Sequence, residues 1–323
     1  MTSAKCAIGV DLGGTKIEVA RVGDAGEVQQ KMRLATDAAG GATAVERQII
    51  QAVDRLRDEQ KPDPIGVGVG VAGQVVRQTG RVRYAPNLDW HEVPLQQDLQ
   101  AALGIPVMVT NDVRAATLGE WHYGAGRGCD DFICIFVGTG VGGGIVSGGR
   151  MLTGYSNTAG EVGHITVDLH GPICTCGNQG CLESLAGGWA IAREAQKAAA
   201  THPQAGAALI RLAGHQVTGI SAETVARACR EKDPLARRII SGVGEALVGG
   251  VVTMLSMCNP RRIILGGGVI AGLPELIGRV EQGIRQRALT AALESLEIAP
   301  AELGDEAGVI GAAALVLRGW QGQ

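Results

Sequence analysis

Cys6-Ala7-Ile8-Gly9-Val10-Asp11-Leu12-Gly13-Gly14-Thr15-Lys16-Ile17-Glu18-Val19-Ala20-Arg21-Val22 decides the fold. Cys6 to Val10 reads as a short buried strand, Asp11 to Lys16 as a glycine turn, and Ile17 to Val22 as a returning strand. A hairpin at this point excludes the P-loop and the dinucleotide-binding fingerprint, both of which run from a strand into a helix. The pattern recurs mid-chain. Phe132 to Val137 is a strand, Gly138-Thr139-Gly140-Val141-Gly142-Gly143-Gly144 a turn, and Ile145-Val146-Ser147 the return. Two such cycles indicate an internal duplication.

Outward from these turns, strands and helices alternate. Val45, Ile49, Val53 and Leu56 mark a helix from Ala44 to Glu59. Ile65, Val67, Val69 and Val71 alternate with glycines, as in a strand with close backbone neighbours. Pro106 to Thr110 is a further strand, ended by Asn111-Asp112 and a helix to about Trp121. Glu183 to Ala200 and Asp233 to Met257 read as long helices, Arg262 to Leu265 as a strand, and Ala307 to Leu317 as a closing apolar helix. This alternation predicts an α/β protein of two domains gripping a ligand in a cleft between them.

The chain has 323 residues, 46% of them apolar, enough for two cores. Its net charge of −3 and lack of a basic patch argue against nucleic acid. The N-terminus shows no signal-peptide apolar region, and the longest near-apolar run, Ala246 to Cys258, is too short to span a bilayer. Cys6, Cys129, Cys134, Cys229 and Cys258 are scattered in apolar contexts, as reduced core residues. The expectation is a soluble cytoplasmic protein without a membrane partner.

A glycine turn can aim backbone N–H groups at an anion, and threonine adds a hydroxyl donor. Gly13-Gly14-Thr15 and Gly138-Thr139-Gly140 both fit, although either alone is equally a tight hairpin. Together with Gly266-Gly267-Gly268 they favour a nucleotide. Asp11 suits Mg²⁺, or else a turn acid bonding its own backbone. Lys16 balances phosphate charge or is a solvated strand residue. Asn111-Asp112 lies where α/β folds bind ligands, and a carboxylate there can take a proton from a hydroxyl; both residues also suit a helix cap.

His164, Cys174, Cys176 and Cys181 have the residue types and spacing of a closed four-ligand zinc site, which is structural because no position stays open. A redox pair or chance clustering is the plainer alternative. Glu161 and Glu183 flank these ligands. Carboxylates on a rigid loop suit sugar hydroxyls, although Glu183 also fits a helix start and Glu161 an ordinary surface acid. Asn87, in a polar loop, is a further candidate or a plain turn residue.

Together these residues resemble the ROK family of bacterial sugar kinases and repressors, within the actin-like ATPase superfamily. Asp11 to Lys16 is similar to the family's first phosphate loop and Val137 to Gly144 to its second. Glu161-Val162-Gly163-His164, followed by Cys174-x-Cys176-Gly177-x-x-Gly180-Cys181-Leu182-Glu183, resembles its zinc signature. Pro86-Asn87-Leu88 with Trp90 resembles its sugar loop, and Gly266-Gly267-Gly268 its adenosine-side turn. Gly70-Val71-Ala72-Gly73-Gln74 departs from the Pro-Gly-Pro of many members, with Gly73 keeping the turn.

The resemblance implies two ribonuclease H-like domains flanking a cleft. Residues 1–113 with about 307–323 would form the smaller and 114–306 the larger. It implies ATP-dependent phosphorylation of a hexose, foremost the 6-hydroxyl of glucose, with Asp112 as general base and Mg²⁺ accompanying ATP. Gly73, Asn87, Asn111, Asp112, Glu161, His164 and Glu183 would meet the sugar, with His164 also holding zinc. Asp11, Gly13, Gly14, Thr15, Lys16, Gly138, Thr139, Gly140, Gly266, Gly267 and Gly268 would meet the nucleotide. Another hexose or N-acetylhexosamine, or sugar sensing without chemistry, stays open. Family repressors place a helix-turn-helix before the first phosphate loop, whereas ten residues precede Asp11, which favours the kinase branch. A homodimer or homotetramer is implied.

Overall fold

In a computed structural model, which describes residues 5–58 and 62–319, the chain forms two compact units. The first comprises Met1–Cys129, Gly149–Ala159 and Glu302–Gln323, and the second Asp130–Gly148 and Gly160–Ala301.

The first unit begins with the hairpin expected from the sequence. Strand β1 (Cys6–Leu12) turns at Gly13 and returns antiparallel as β2 (Lys16–Gly23), against which β3 (Val28–Ala35) pairs antiparallel. Helix α1 (Gly41–Asp58) then leads to β4 (Val67–Val71); the expected helix end at Glu59 lies outside the described residues. A small antiparallel sheet follows, from β5 (Gln74–Val76), β6 (Arg81–Ala85) and β7 (Trp90–Val93). Helix α2 (Leu95–Leu103) leads to β8 (Val107–Asn111) and helix α3 (Asp112–Tyr123). The main sheet runs β3-β2-β1-β4-β8, with β4 parallel to both β1 and β8.

Helix Ala307–Leu317 lies on this sheet, and its alanine- and glycine-rich sequence is almost wholly buried. The alternating glycines of β4 are explained by that contact. A Cβ on Gly68 would stand 1.7 Å from the Ala312 carbonyl oxygen, so helix backbone rests directly on strand backbone. The same helix packs on α3, where a Cβ at Gly311 would meet the Ala115 oxygen at 1.7 Å. This close packing places α3 in the first unit, so the expected boundary at 113/114 falls inside a helix rather than between domains.

The second unit repeats the plan. Strands β9 (Phe132–Val137) and β10 (Val141–Ser147) form its hairpin, in a sheet whose edge strand β11 (Arg150–Met151) comes from the segment Gly149–Ala159. Strands β12 (Arg262–Gly266) and β13 (Glu297–Pro300) complete the order β11-β10-β9-β12-β13, with β12 parallel to β9 and β13. In both sheets the third, second and first strands are followed by two parallel ones, so the duplication read from two glycine turns extends to topology.

The long helix expected from Glu183 to Ala200 is two helices, α4 (Leu182–Ala186) and α5 (Gly188–Thr201). Gly187 interrupts them with extended backbone (φ −65°, ψ 153°). Helices α6 (Ala207–Leu212), α7 (Ala222–Arg230) and α8 (Pro234–Cys258) follow. Asp233 caps α8 by accepting from Ala236 N–H, Pro234 opens it, and Asn259 in the left-handed region ends it. The run Ala246 to Cys258 is thus half of a 25-residue helix, which by length and composition is long enough to cross a membrane. Its Leu235, Ile239, Val243, Leu247, Val251 and Leu255 are buried in the core of the second unit.

Candidate active site and metal centre

Both glycine turns are built alike. In the first, Gly13 N–H donates to the Lys16 oxygen at 3.0 Å, and Thr36 fastens the turn through its hydroxyl to the Gly13 oxygen at 2.8 Å. In the second, Gly138 N–H donates to the Gly140 oxygen at 2.9 Å. Among the described residues, the N–H groups of Gly14 and Thr15, and of Thr139 and Gly140, have no hydrogen-bond partner. Each turn therefore offers two consecutive donors, as an anion cradle requires. Lys16 reaches Glu18 at 3.5 Å, so its charge is already paired on the strand.

Asp11 and Asp112 come together although a hundred residues separate them in sequence. Burial foremost, and then the Asp112 charge, push the Asp11 carboxyl up to about 7, with Lys16 pulling it down. A carboxyl whose proton affinity is raised by burial and by a neighbouring carboxylate is suited to a cation.

Asp112 opens α3 at the end of β8. The preceding Asn111 is the helix cap: its Oδ1 accepts from the N–H groups of Val113 (3.0 Å) and Arg114 (3.1 Å). Its Nδ2 donates to Asp112 Oδ1 at 2.9 Å and to the Gly73 oxygen at 3.2 Å. An amide makes four hydrogen bonds, and all four are used within the protein. Asn111 therefore caps the helix and orients Asp112 and the Gly73 turn. Asn87 is exposed on a 3₁₀ turn, Pro86–Leu88, against the first glycine turn, where a Cβ on Gly14 would meet the Asn87 oxygen at 2.6 Å.

In the second unit, Glu161 and His164 share one 3₁₀ turn, closed by His164 N–H to the Glu161 oxygen at 3.0 Å. The four expected ligand atoms, on His164, Cys174, Cys176 and Cys181, lie within 4.8 Å of one another. A tetrahedral ion with bonds of about 2.3 Å needs ligand separations of about 3.8 Å. Cys176 and Cys181 Sγ are 3.7 Å apart, and Cys174 Sγ is 3.8 Å from His164 Nδ1, so the cluster fits such an ion. Nδ1 faces the cysteines, which leaves Nε2 for a second partner. Asn178 supports the cluster by donating to Thr166 Oγ1 at 3.0 Å and to Cys181 Sγ at 3.5 Å. Burial and its cysteine neighbours raise the Cys181 thiol; Cys176 is held low by hydrogen bonds from Asn178 and the other cysteines, against an opposing push from burial.

Glu183 sits in the first turn of α4, and its carboxylate is well engaged. Oε2 accepts from Val141 N–H at 3.0 Å, and Oε1 from Thr175 Oγ1 and Trp189 Nε1, each at 3.3 Å. Gly266 ends β12, Gly267 takes φ +88°, and Gly268 starts the short helix α9 (Gly268–Gly272).

Three contributors went unseen in the sequence. Arg114 is buried in α3, where its guanidinium donates to Asn157 Oδ1 and to the oxygens of Asn157 (3.3 Å) and Ala159 (3.1 Å). Thr175 and Trp189 meet Glu183. No spacing marks these residues, because their partners come from other elements.

The chain resembles known proteins along nearly its whole length. It is 36% identical to a glucokinase of Halalkalibacterium halodurans over 314 residues, covering 96% of this chain and 94% of the relative. A ROK family glucokinase from Streptomyces griseus, solved with glucose and AMPPNP, superposes with a TM-score of 0.84 at 35% identity, covering 96% of this chain and 98% of that one. A ROK hexokinase from Thermus thermophilus gives 0.80 at 31% identity, covering 95% and 96%. The ROK family model matches residues 7–319, a span that holds both duplicated sheets, both glycine turns and the cysteine cluster, and the chain accordingly belongs to the ROK family, with its two-domain actin-like ATPase fold.

Proposed function

We propose that this protein is an ATP-dependent hexose kinase, a glucokinase, that transfers the γ-phosphoryl group of ATP to the 6-hydroxyl of glucose. The observation that carries the reading is the paired carboxylates: Asp112, fixed by Asn111, beside a partly buried Asp11 whose charge is costly without a cation.

In this reading Asp112 accepts the proton of the sugar hydroxyl. An ordinary carboxylate is a weak base, which suffices because phosphoryl transfer has a loose transition state and depends on positioning and charge. Asp11 would hold Mg²⁺, directly or through water, and the bound ion would supply neutralising charge at the phosphates. The donor pairs at Gly14-Thr15 and Thr139-Gly140 hold phosphate, Gly13 and Gly138 close the two turns behind them, and Gly266, Gly267 and Gly268 border the adenosine. Asn87, Glu161, His164 Nε2 and the remaining acceptor site of Glu183 take sugar hydroxyls, with Gly73 and Asn111 shaping the wall behind Asp112. His164, Cys174, Cys176 and Cys181 would hold zinc; with four protein ligands it would be closed to substrate and would fix the loop. All eight cysteines are free of disulfides, in keeping with a cytoplasmic enzyme.

A coupled assay of ADP release over a panel of hexoses and N-acetylhexosamines tests this. Glucose is expected to give the highest kcat/KM. Release at background with every sugar would overturn the kinase reading, and preference for another sugar would overturn its acceptor.

A further inference from the structure

The Glu183 carboxylate joins three segments of the second unit: the cysteine loop through Thr175, the second glycine turn through Val141, and α5 through Trp189. Thr175 adjoins Cys174, with its hydroxyl 4.0 Å from that Sγ, so it moves with the metal loop. Helix α5 grips the glycine turn as well. Gly188 N–H donates to the Gly138 oxygen at 2.9 Å and Trp189 N–H to the Thr139 oxygen at 3.0 Å. There is no slack in this contact, since a Cβ on Gly140 would lie 2.3 Å from Glu183 Oε2. The indole is itself held, with the Arg193 guanidinium 4.7 Å from its ring centroid.

We infer that Thr175 and Trp189 are positioning residues for the nucleotide. Both donate to Oε1 and thereby set the rotation of the carboxylate. That rotation decides whether Oε2 can hold Val141 N–H, and so the shape of the Thr139-Gly140 donor pair. The metal loop thus tunes affinity for a nucleoside triphosphate in addition to its part at the sugar. A carboxylate has about four acceptor sites, and three donors leave one for a hydroxyl, so the two duties are compatible. This inference rests on the kinase reading.

Thr175→Val is nearly isosteric at an exposed position and removes one donor; Trp189→Phe removes the other. Each is expected to raise the KM for ATP, and the Kd for ADP in calorimetry, by about threefold or more, and the KM for glucose by less, since the sugar takes only one of the carboxylate's roughly four acceptor sites. Zinc content should equal that of the wild type in both, and Thr175→Ser should restore the nucleotide values. Unchanged nucleotide affinity in both variants of an active protein overturns this inference and leaves the kinase reading standing. Equal losses for glucose and ATP, or loss of zinc, would show a merely structural role and overturn it too. A wild-type protein that binds no nucleotide overturns both readings.

Discussion

Asp11→Asn removes a charge that the ligand-free fold tolerates poorly, and the size of the effect follows from its surroundings. Burial and the Asp112 carboxylate push the Asp11 carboxyl up to about 7. In an unfolded chain an aspartate titrates near 3.9, so between roughly pH 4 and pH 7 the folded state keeps a proton that the unfolded chain has released. Because the folded value is the higher one, the stabilisation from that proton is complete below about pH 4. It is lost as the pH rises through about 7. At about 1.36 kcal/mol per pKa unit the whole effect is about 4 kcal/mol, of which roughly two-thirds disappears between about pH 5 and pH 8. Unfolding entropy of about 2.1 cal/mol/K per residue, taken over the whole chain as one melting unit, converts that loss to about 4 °C in Tm. Scanning calorimetry without Mg²⁺ should therefore show Asp11→Asn gaining about 4 °C on the wild type from about pH 5 to pH 8. Mg²⁺ with ADP should then stabilise the wild type above about pH 7 by more than it stabilises the variant, since the variant lacks the Asp11 charge that the ion offsets. Melting curves of the two proteins that run parallel across this range would refute the reasoning.

Asp112→Asn should keep glucose affinity in calorimetry while turnover falls by about a hundredfold or more; turnover at the wild-type rate would remove Asp112 as the base. Cys176→Ser should lower zinc content by elemental analysis and raise the KM for glucose, and a zinc-free preparation with full activity would show the loop to be independent of metal. Gly140→Ala drives a methyl group into Glu183 Oε2, 2.3 Å away, and should weaken ADP binding by about tenfold with zinc retained. An unaltered Kd would show that the turn moves aside freely.

The hairpins, the clustering of His164, Cys174, Cys176 and Cys181, and the two-domain α/β class were legible because each depends on neighbours in sequence. Cys174, Cys176 and Cys181 lie on one loop, so their spacing alone confines the thiols to the reach of one ion. Short, nearly continuous apolar runs on either side of Gly13-Gly14 and Gly138-Thr139 likewise show a strand turning back on itself. The break at Gly187 was missed because apolar periodicity continues across it while the backbone does not.

The sequence by itself thus determined which short segments turn, which pair locally and which residues cluster as candidate metal ligands. The tertiary structure alone decided that β4 lies parallel between β1 and β8, that Asp11 meets Asp112, that Asn111 spends its amide inside the protein, and that Glu183 reaches Val141. The difference is physical: local periodicity is a property of consecutive backbone angles. Contacts between distant residues depend on which surfaces exclude each other's water, as where Ala312 fits only against a strand bearing glycine at Gly68.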